Sequence, residues 1–297
     1  MEKIIDLHIH TNCSDGVLTP FEIIDEAKKN GLDTISITDH DTIEAYTNEL
    51  INYARNKKIN LIKGVEISTK ANKSGIHVLG YNIDTNNIEF NKRLAKARNA
   101  RHDYLYNVAS KLNELGYEIN VDELDKIDAV TKAHIALDVV NNTKNEKLLL
   151  EKFNHIPSKG EFIETIMNEG CPAYVKKETL TPKEAAELIR TAGGKVVLAH
   201  PVAYTYEDNL TLEETKEIVD DMQADGIEAY YIYIDRNDLK HNDIEKWIKF
   251  AENNNKFVTI GSDFHNKDGL HPFIGLLGEE VDLPVNEVNK ILKNVKE

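Results

Sequence analysis

The sequence predicts an α/β fold: a single α/β barrel interrupted by a small helical insertion. Short β-rich runs alternate with amphipathic helical patterns, which is typical of βαβ units and a parallel sheet. These runs cover residues 4–10, 34–38, 60–67, 76–81, 195–199, 226–231 and 256–261. Acidic and imidazole side chains gather at the ends of several runs, and the carboxyl ends of barrel strands meet at one rim.

Two helices carry an explicit start signal. Thr19 can cap the first helix, Pro20 fits its first turn, and Glu22 completes a capping box. The same Leu-Thr-Pro-x-Glu phrase returns at residues 180–184, again before a helical pattern and a strand. We expect both phrases to start helices of one α/β architecture.

The pattern changes in the middle of the chain, where strand signals fade and helical stretches dominate. We predict a helical insertion over residues 95–155, which would act as a substrate cap. The barrel would then comprise residues 1–94 and 156–297. That length suits a single α/β barrel, which takes about 200–250 residues.

Charge and composition exclude several classes of protein. The 51 Asp and Glu residues outnumber 36 Lys and Arg residues, for a formal net charge of −15. A general basic surface for duplex DNA is therefore excluded, because such binding needs clustered cations on phosphates. The two cysteines form no CxxC motif, which excludes a zinc site of the finger type. No signal peptide or membrane span is predicted, and we expect a cytoplasmic protein without a membrane partner.

The first strand carries two candidate metal ligands. Its apolar residues Ile5, Leu7 and Ile9 alternate with polar positions that include His8 and His10. Because side chains alternate between the two faces of a strand, both imidazoles point away from the apolar face. A His-x-His pair at a strand end can offer two nitrogen donors to one metal ion. By itself this pair is a weak signal, since each histidine can also be an ordinary hydrogen-bonded polar residue.

Further acidic and imidazole groups bring the set of candidate ligands to nine. They are His8, His10, Asp15, His40, Glu66, His77, His200, Asp263 and His265. At one barrel rim this set exceeds the four ligands of a tetrahedral site, so we predict two or three divalent metal ions. Mixed nitrogen and oxygen donors suit manganese, zinc or iron, and of these we expect manganese.

Such a centre favours a hydrolase that acts on an anionic substrate. The charge of the ions outweighs that of the three carboxylates, so the site is cationic although the protein is acidic. A hydroxide bridging the metals would be the nucleophile at neutral pH, because metal coordination lowers the pKa of water. We expect in-line attack on a phosphate ester, with Asp263 or His200 assisting proton transfer to the leaving oxygen. The sequence does not choose between these two residues.

Several motifs in chain order resemble those of the PHP (polymerase and histidinol phosphatase) family of phosphoesterases. They are Asp6-Leu7-His8-Ile9-His10-Thr11 with Ser14-Asp15-Gly16, Ile37-Thr38-Asp39-His40-Asp41, Gly64-Val65-Glu66, His77-Val78-Leu79-Gly80, Ala199-His200-Pro201 and Gly261-Ser262-Asp263-Phe264-His265. The resemblance spans nearly the whole chain. It implies a distorted (β/α)7 barrel of TIM-like type with a trinuclear metal site.

The resemblance also implies how the ligands divide among three metal ions. The first ion would be held by His8, His10, Glu66 and Asp263. Glu66 would bridge to the second ion, which would also be held by His77 and His200. The third ion would be held by Asp15, His40 and His265.

Two features resemble the branch of the family that acts on nucleotides. An aspartate, Asp15, rather than a histidine occupies the Ser-Asp-Gly motif, and a helical insert follows the strand of His77. That branch includes 3′,5′-nucleoside bisphosphate phosphatases and 5′→3′ exoribonucleases that act on short RNA. The resemblance therefore implies a small phosphorylated substrate, either a nucleotide or a short RNA.

The resemblance also implies that four residues of the insert are candidates for binding a phosphate that is not cleaved. Arg98 and Arg101 are three residues apart and share a helix face, and Arg can contact phosphate through two hydrogen bonds. Lys132 and His134 lie in a segment similar to an Arg-Pro-His-Ile-Ala pattern, with lysine in place of arginine. Lysine is a point charge rather than a planar fork. The alternatives are a solvated face for the arginines and a plain helix start for His134.

The predicted function is metal-dependent hydrolysis of a nucleotide phosphate ester. The first candidate is the 3′-phosphate of a 3′,5′-bisphosphonucleotide, and 5′→3′ trimming of short RNA belongs to the same hypothesis. One alternative is a histidinol-phosphatase-like or other small phosphomonoesterase. Another is a non-catalytic metal-binding module that partners a polymerase. The sequence does not predict the oligomeric state.

Overall fold

The computed structural model describes residues 4–71, 74–125, 130–176, 179–235, 239–266, 273–275 and 283–296. It describes the backbone but not the side chains of residues 101 and 102. Within these ranges the chain forms two compact units. The first comprises Met1–Ala95 and Leu180–Glu297, and the second comprises Lys96–Thr179.

Strands and helices alternate along most of the first unit. The strands are β1 (Ile4–Ile9), β2 (Leu32–Ile37), β3 (Asn60–Ala71), β4 (Ser74–Tyr81), β5 (Lys195–Leu198), β6 (Gly226–Tyr230), β7 (Tyr233–Ile234), β8 (Lys240–His241) and β9 (Phe257–Ile260). Each of the seven runs predicted from the sequence overlaps one strand, whereas the short strands β7 and β8 were not predicted.

The helices of the described ranges belong to both units. They are α1 (Pro20–Lys29), α2 (Asn48–Asn56), α3 (Ile88–Glu114), α4 (Val121–Leu124), α5 (Lys132–Asn141), α6 (Glu146–Phe153), α7 (Lys159–Phe162), α8 (Pro182–Thr191), α9 (Pro201–Glu207), α10 (Leu212–Asp221), α11 (Ile244–Asn253) and α12 (Val285–Lys296). None of these helices has the length and apolar character needed to cross a bilayer.

Seven strands form one sheet in the order β1-β2-β3-β4-β5-β6-β9, which gives a mixed α/β fold with a sheet rich in parallel strands. Strand β4 runs antiparallel to both of its neighbours, β3 and β5, and the other neighbouring pairs are parallel. The sequence pattern predicted a parallel sheet, so the direction of β4 is a correction. Only residues 72 and 73 separate β3 from β4, and a parallel connection takes a dozen or more residues.

The two outer strands of this sheet are linked beyond the end of β9. The backbone N–H of His10 donates to the carbonyl oxygen of Phe264 at 2.9 Å, and the N–H of Asp263 donates to that of His8 at 2.9 Å. Ile9 and Phe264 also form a parallel bridge. The segment that follows β9 therefore runs beside β1. Closure into a (β/α)7 barrel stays a prediction.

Apolar side chains from both faces of the sheet form the core of the first unit. Helix α1 buries Ile24 and Ala27 against strands β1 and β2, while α8 buries Ala185 and Ile189 against β4 and β5. Parallel strands with helices on them are buried on both faces, which explains their nearly continuous apolar runs. Functional side chains therefore collect at the polar ends of the strands, outside the apolar core.

The second unit is built from helices and has a core of its own. Its buried residues include Leu112, Ile135, Phe162 and Met167. The insertion predicted at residues 95–155 and its role as a cap stay predictions. The compact unit begins at Lys96 and continues to Thr179, beyond the predicted end.

The two Leu-Thr-Pro-x-Glu phrases start helices, as predicted. The Thr19 hydroxyl accepts from the Glu22 N–H at 3.3 Å, and the Glu22 carboxylate accepts from the Thr19 N–H at 2.8 Å. Thr181 and Glu184 make the same pair of hydrogen bonds at the start of α8, at 3.2 and 2.8 Å. Each box satisfies N–H groups that a helix start would otherwise leave unpaired.

Removing either cap should destabilise the first unit. We expect Thr19→Ala and Thr181→Ala each to lower the free energy of unfolding by about 1 kcal/mol, because the helix start loses its acceptor. Chemical denaturation followed by circular dichroism measures this change. The matched controls are Thr19→Ser and Thr181→Ser, which keep the hydroxyl and should stay close to wild type. Equal stability of the alanine and serine variants would contradict a capping role.

Candidate metal centre

The structure brings the nine ligands predicted from the sequence into one continuous cluster in the first unit. Glu66 lies at its centre and is fully buried, at the middle of β3. The ligand atoms form three overlapping groups: His8, His10, Glu66 and Asp263; His40, Glu66 and His77; and His10, Asp15, His40 and His265. His200 joins the cluster through Glu66.

The first group consists of two imidazoles and two carboxylates at short distances. The Nε2 atoms of His8 and His10 are 3.1 Å apart. Glu66 Oε2 is 3.3 Å from the first nitrogen and 3.2 Å from the second. Asp263 Oδ1 is 3.2 and 3.1 Å from the same two nitrogens. Five of the six distances among these four atoms therefore lie between 3.1 and 3.3 Å.

This spacing fits a divalent metal ion better than hydrogen bonding alone. A regular tetrahedron with edges of about 3.2 Å has its centre about 2.0 Å from each corner, a typical zinc–nitrogen bond length. Glu66 Oε2 is buried and, within the described part of the chain, accepts no hydrogen bond, although imidazole nitrogens surround it. These distances are those expected of four ligand atoms around one ion.

Glu66 connects the first group to a second one through its other oxygen. Its Oε1 atom is 3.1 Å from His77 Nδ1 and 3.2 Å from His200 Nε2. Its Oε2 atom also lies 3.0 Å from His40 Nδ1. One carboxylate thus faces imidazoles on both sides, which is the arrangement expected of a bridging ligand.

The third group gathers around Asp15. Its Oδ1 atom is 3.4 Å from His10 Nδ1 and 3.3 Å from His265 Nε2, and its Oδ2 atom is 3.6 Å from His40 Nε2. The rings of His10 and His265 stack at 4.0 Å. The division of ligands implied by the family resemblance placed His10 in the first group alone, whereas its two nitrogens face different groups. The assignment of individual ligands to individual ions stays a prediction.

A buried aspartate fixes the loop that carries Asp15. Asp39 accepts from the N–H and the hydroxyl of Thr11, both at 2.7 Å, and from the Ser14 hydroxyl at 2.6 Å. The turn requires glycine at position 16, because a Cβ atom there would lie 2.5 Å from the backbone oxygen of His10. The Ser-Asp-Gly motif therefore has a steric reason as well as a chemical one.

Three residues at this centre have left-handed backbone conformations. The φ angles are 50° at Asp41, 23° at His200 and 54° at Asp263. Residues other than glycine reach this region at a cost, and such residues concentrate at functional sites. His200 and Asp263 are both predicted ligands, so backbone strain coincides with the site.

Burial and opposite charges shift the pKa values of the cluster. Burial lowers the pKa of His10, but Asp263 and Glu66 outweigh it and raise that pKa to about 10. At His40 burial dominates and takes the pKa well below its ordinary value. Burial raises the pKa of Glu66, but the imidazoles around it hold that pKa well below its usual range. An ionised carboxylate at the centre is the form that binds metal ions.

Sequence reasoning missed Glu228, which lies in β6 and is fully buried. Its two oxygens are 3.0 and 3.1 Å from His8 Nδ1. It also accepts a hydrogen bond from the backbone N–H of His200 at 2.9 Å. The available signal was a single carboxylate within the strand Gly226–Tyr230, whose other residues carry no charge. Tyr231, predicted as part of a strand run, donates its hydroxyl to Asp263 Oδ2 at 3.3 Å.

The candidate arginines of the insert lie in the long helix α3. Arg98 is half-buried there. Arg101 is in the same helix, but its side chain lies outside the described residues. The phosphate clamp therefore stays a prediction for both.

The other two candidates start helix α5 in the second unit. Lys132 Nζ donates to Asn168 Oδ1 at 3.1 Å and lies 5.9 Å from the centre of the Tyr174 ring. His134 belongs to a capping box, in which its Nδ1 atom accepts from the Thr131 N–H at 3.3 Å. His134 thus has the helix-start role that was the alternative. Phosphate binding by either residue stays a prediction.

The comparison with known proteins decides the family. The family model described as the PHP domain matches residues 6–260. The chain belongs to the PHP family. It is 30% identical over 288 residues to a 5′-3′ exoribonuclease from Haemophilus influenzae, covering 95% of this chain and 96% of that protein. It is 26% identical over 267 residues to a 3′,5′-nucleoside bisphosphate phosphatase from Chromobacterium violaceum, covering 88% and 87%.

A solved structure supports the same fold. A protein from Bifidobacterium adolescentis, assigned to the metal-dependent phosphoesterases, aligns with a TM-score of 0.67 at 23% identity, covering 98% of this chain and 96% of that one. Together with the PHP family match, the curated relatives make this chain a phosphoesterase and hence a hydrolase. This confirms the family and the reaction class predicted from the sequence.

The close approach of β6, β9 and β1 can be tested at Gly261. A Cβ atom there would lie 2.2 Å from His8 Cβ and 2.4 Å from Glu228 Oε1. We expect Gly261→Ala to cost about 1–3 kcal/mol of stability or more by overpacking, and to weaken metal binding. Differential scanning calorimetry and metal titration measure the two effects.

The matched control is Gly75→Ala in β4, where an added Cβ would meet nothing within 4 Å. It should melt and bind metal like the wild type. If Gly261→Ala also behaved like the wild type, the space around Gly261 would accommodate a Cβ atom, which would contradict the close approach.

Proposed function

We propose that this chain hydrolyses a phosphate ester of a nucleotide. The first candidate substrate is a 3′,5′-bisphosphonucleotide cleaved at its 3′-phosphate, and 5′→3′ trimming of short RNA is the same chemistry on a longer substrate. The observation that carries the proposal is the buried Glu66 carboxylate, both oxygens of which face imidazole donors. The names of the curated relatives support a nucleotide or RNA substrate.

The proposed cofactors are two or three divalent metal ions, with manganese first and zinc or iron as alternatives. Three overlapping donor groups support that number, and their mixed imidazole and carboxylate chemistry supports these metals. Bound divalent ions supply a nucleophile from water at neutral pH and neutralise the charge that develops on the phosphate. The ligands proposed to hold them are the nine residues of the cluster.

The protein residues would orient the substrate and manage protons around these ions. Glu66 would fix the spacing between two ions, because its oxygens serve different donor groups. Asp263 offers Oδ1 to the first group, while its Oδ2 accepts from Tyr231, so one side chain can bind metal and hold a proton partner. Asp263 and His200 are both proposed for proton transfer to the leaving oxygen.

We also infer that the seven-stranded sheet closes into the distorted (β/α)7 barrel. The hydrogen bonds between the segment after β9 and β1 support closure, because they join the two outer strands of the sheet order. Closure would put His8, Glu66 and Asp263 at one rim, which is the place where barrel enzymes carry out their chemistry.

Metal removal and ligand substitution test the reaction. We expect phosphate release from adenosine 3′,5′-bisphosphate to stop on chelation and to return with Mn²⁺. Asp263→Ala should lower kcat/KM by more than about 100-fold, since even partners behind a ligand cost about 10- to 100-fold. A colorimetric phosphate assay with a phosphoester panel measures the rates.

The control for that variant is Asp33→Ala, an exposed aspartate in β2. It should retain wild-type turnover. Release of phosphate by Asp263→Ala at the wild-type rate would exclude this cluster as the source of activity. Preference for histidinol phosphate in the panel would favour the small-phosphomonoesterase alternative over the nucleotide.

The proposed phosphate clamp is tested by two substrates that differ in one phosphate. Arg98→Ala and Arg101→Ala should raise KM for adenosine 3′,5′-bisphosphate by about 10-fold, because a charge-assisted hydrogen bond contributes about 1.5–3 kcal/mol. KM for adenosine 3′-monophosphate should change little. Arg55→Ala, which removes an exposed arginine from α2, is the control. Equal effects on both substrates would contradict a clamp for the second phosphate.

A further inference from the structure

Glu228 is a buried carboxylate that has no role in the proposed reaction. It lies in β6 with both neighbours, Ile227 and Ala229, apolar and buried. Burial of an ionised group costs free energy unless hydrogen bonds compensate it. Well-packed apolar residues in place of buried charges are often neutral or stabilising, so packing alone does not explain a carboxylate here.

The contacts of Glu228 lead to two metal-ligand residues. Its oxygens lie 3.0 and 3.1 Å from His8 Nδ1. Its Oε2 atom accepts from the backbone N–H of His200 at 2.9 Å, and His200 has the left-handed φ of 23°. Gly261 leaves the space for this approach, since a Cβ there would lie 2.4 Å from Glu228 Oε1. The neighbouring backbone is therefore shaped to admit the carboxylate.

We propose that Glu228 is a positioning residue that prepares both His8 and His200 to bind metal. A carboxylate only accepts hydrogen bonds, so the ring nitrogen facing it carries a proton. His8 is then held with a proton on Nδ1 and a lone pair on Nε2, the atom that faces His10, Glu66 and Asp263. The same carboxylate ties down the backbone of His200. This inference rests on the metal binding in the proposed function but not on the identity of the substrate.

The proposal predicts that charge and acceptor count matter at position 228, beyond the size of the side chain. Glutamine has nearly the same shape but offers one oxygen and one NH₂ group. If its oxygen takes the place of Oε2, that oxygen still faces both the His200 N–H and His8 Nδ1, but the NH₂ group then lies at the Oε1 position, 3.0 Å from His8 Nδ1, and opposes a proton on that nitrogen. If it turns over, the backbone N–H of His200 faces a donor instead. In either orientation an NH₂ group faces a donor that the carboxylate would accept from, so neither reproduces the carboxylate.

Titration of metal-free protein with Mn²⁺ tests the proposal directly. We expect Glu228→Gln to weaken Mn²⁺ binding by about 10- to 100-fold at sites that use His8 or His200, as for other groups that orient metal-bound histidines. Binding at the Asp15 and His265 group should change by less than about 3-fold. The control is Glu252→Gln, an exposed glutamate on α11, which should bind like the wild type.

Two outcomes would overturn the proposal: unchanged Mn²⁺ affinity in Glu228→Gln, or equal weakening at every class of site, which indicates a structural role alone. A measurement on the wild type covers the case in which the variant does not fold. In Zn²⁺-loaded protein, NMR should show a slowly exchanging low-field proton on His8 Nδ1. A zinc-bound Nδ1 in His8 would also contradict the proposal. Neither measurement uses a substrate, so failure of the nucleotide assay would leave this result unaffected.

Discussion

The centre depends on one interaction, the contact of the Glu66 carboxylate with imidazoles on both of its sides. Its Oε2 atom lies 3.0–3.3 Å from nitrogens of His8, His10 and His40. Its Oε1 atom lies 3.1–3.2 Å from nitrogens of His77 and His200. Five histidines from four separate parts of the chain thus converge on one residue. The donor groups share Glu66 only because the register of β3 places its side chain between them.

Several buried polar contacts hold these donor side chains in place. Asp39 fixes the loop of Asp15, Glu228 contacts His8 and His200, and Tyr231 donates to Asp263. Buried acids and imidazoles at such short distances destabilise one another unless protons or metal ions neutralise them. Metal binding and stability of the first unit should therefore be coupled, since an ion that binds only the folded state stabilises it.

Period-two alternation in β1 predicted that His8 and His10 point to the same face, because successive side chains of a strand point to opposite faces. The seven strands of the main sheet were predictable from their apolar runs, whereas the short strands β7 and β8 were not. The direction of β4 follows from the two-residue separation from β3, which a reading of runs alone overlooked. Glu228 was not predictable, because one acid in a buried strand has meaning only when its neighbours across the sheet are known. Whether His134 caps a helix or binds phosphate likewise depends on contacts that the spacing of residues in the sequence does not define.

The proposed metal ligands account for the reaction class, but the substrate must be selected by other residues. The curated relatives have names for different nucleotide or RNA substrates, although this chain aligns with each of them over most of its length. Chemistry in a fold is decided by the site, and specificity by the groups that touch the rest of the substrate. Lys132 is informative here, because it already donates to Asn168 and lies against the Tyr174 ring. A lysine with these partners offers phosphate a shared point charge rather than the planar fork of arginine. Specificity for a second phosphate would then depend more on Arg98 and Arg101 than on the start of α5.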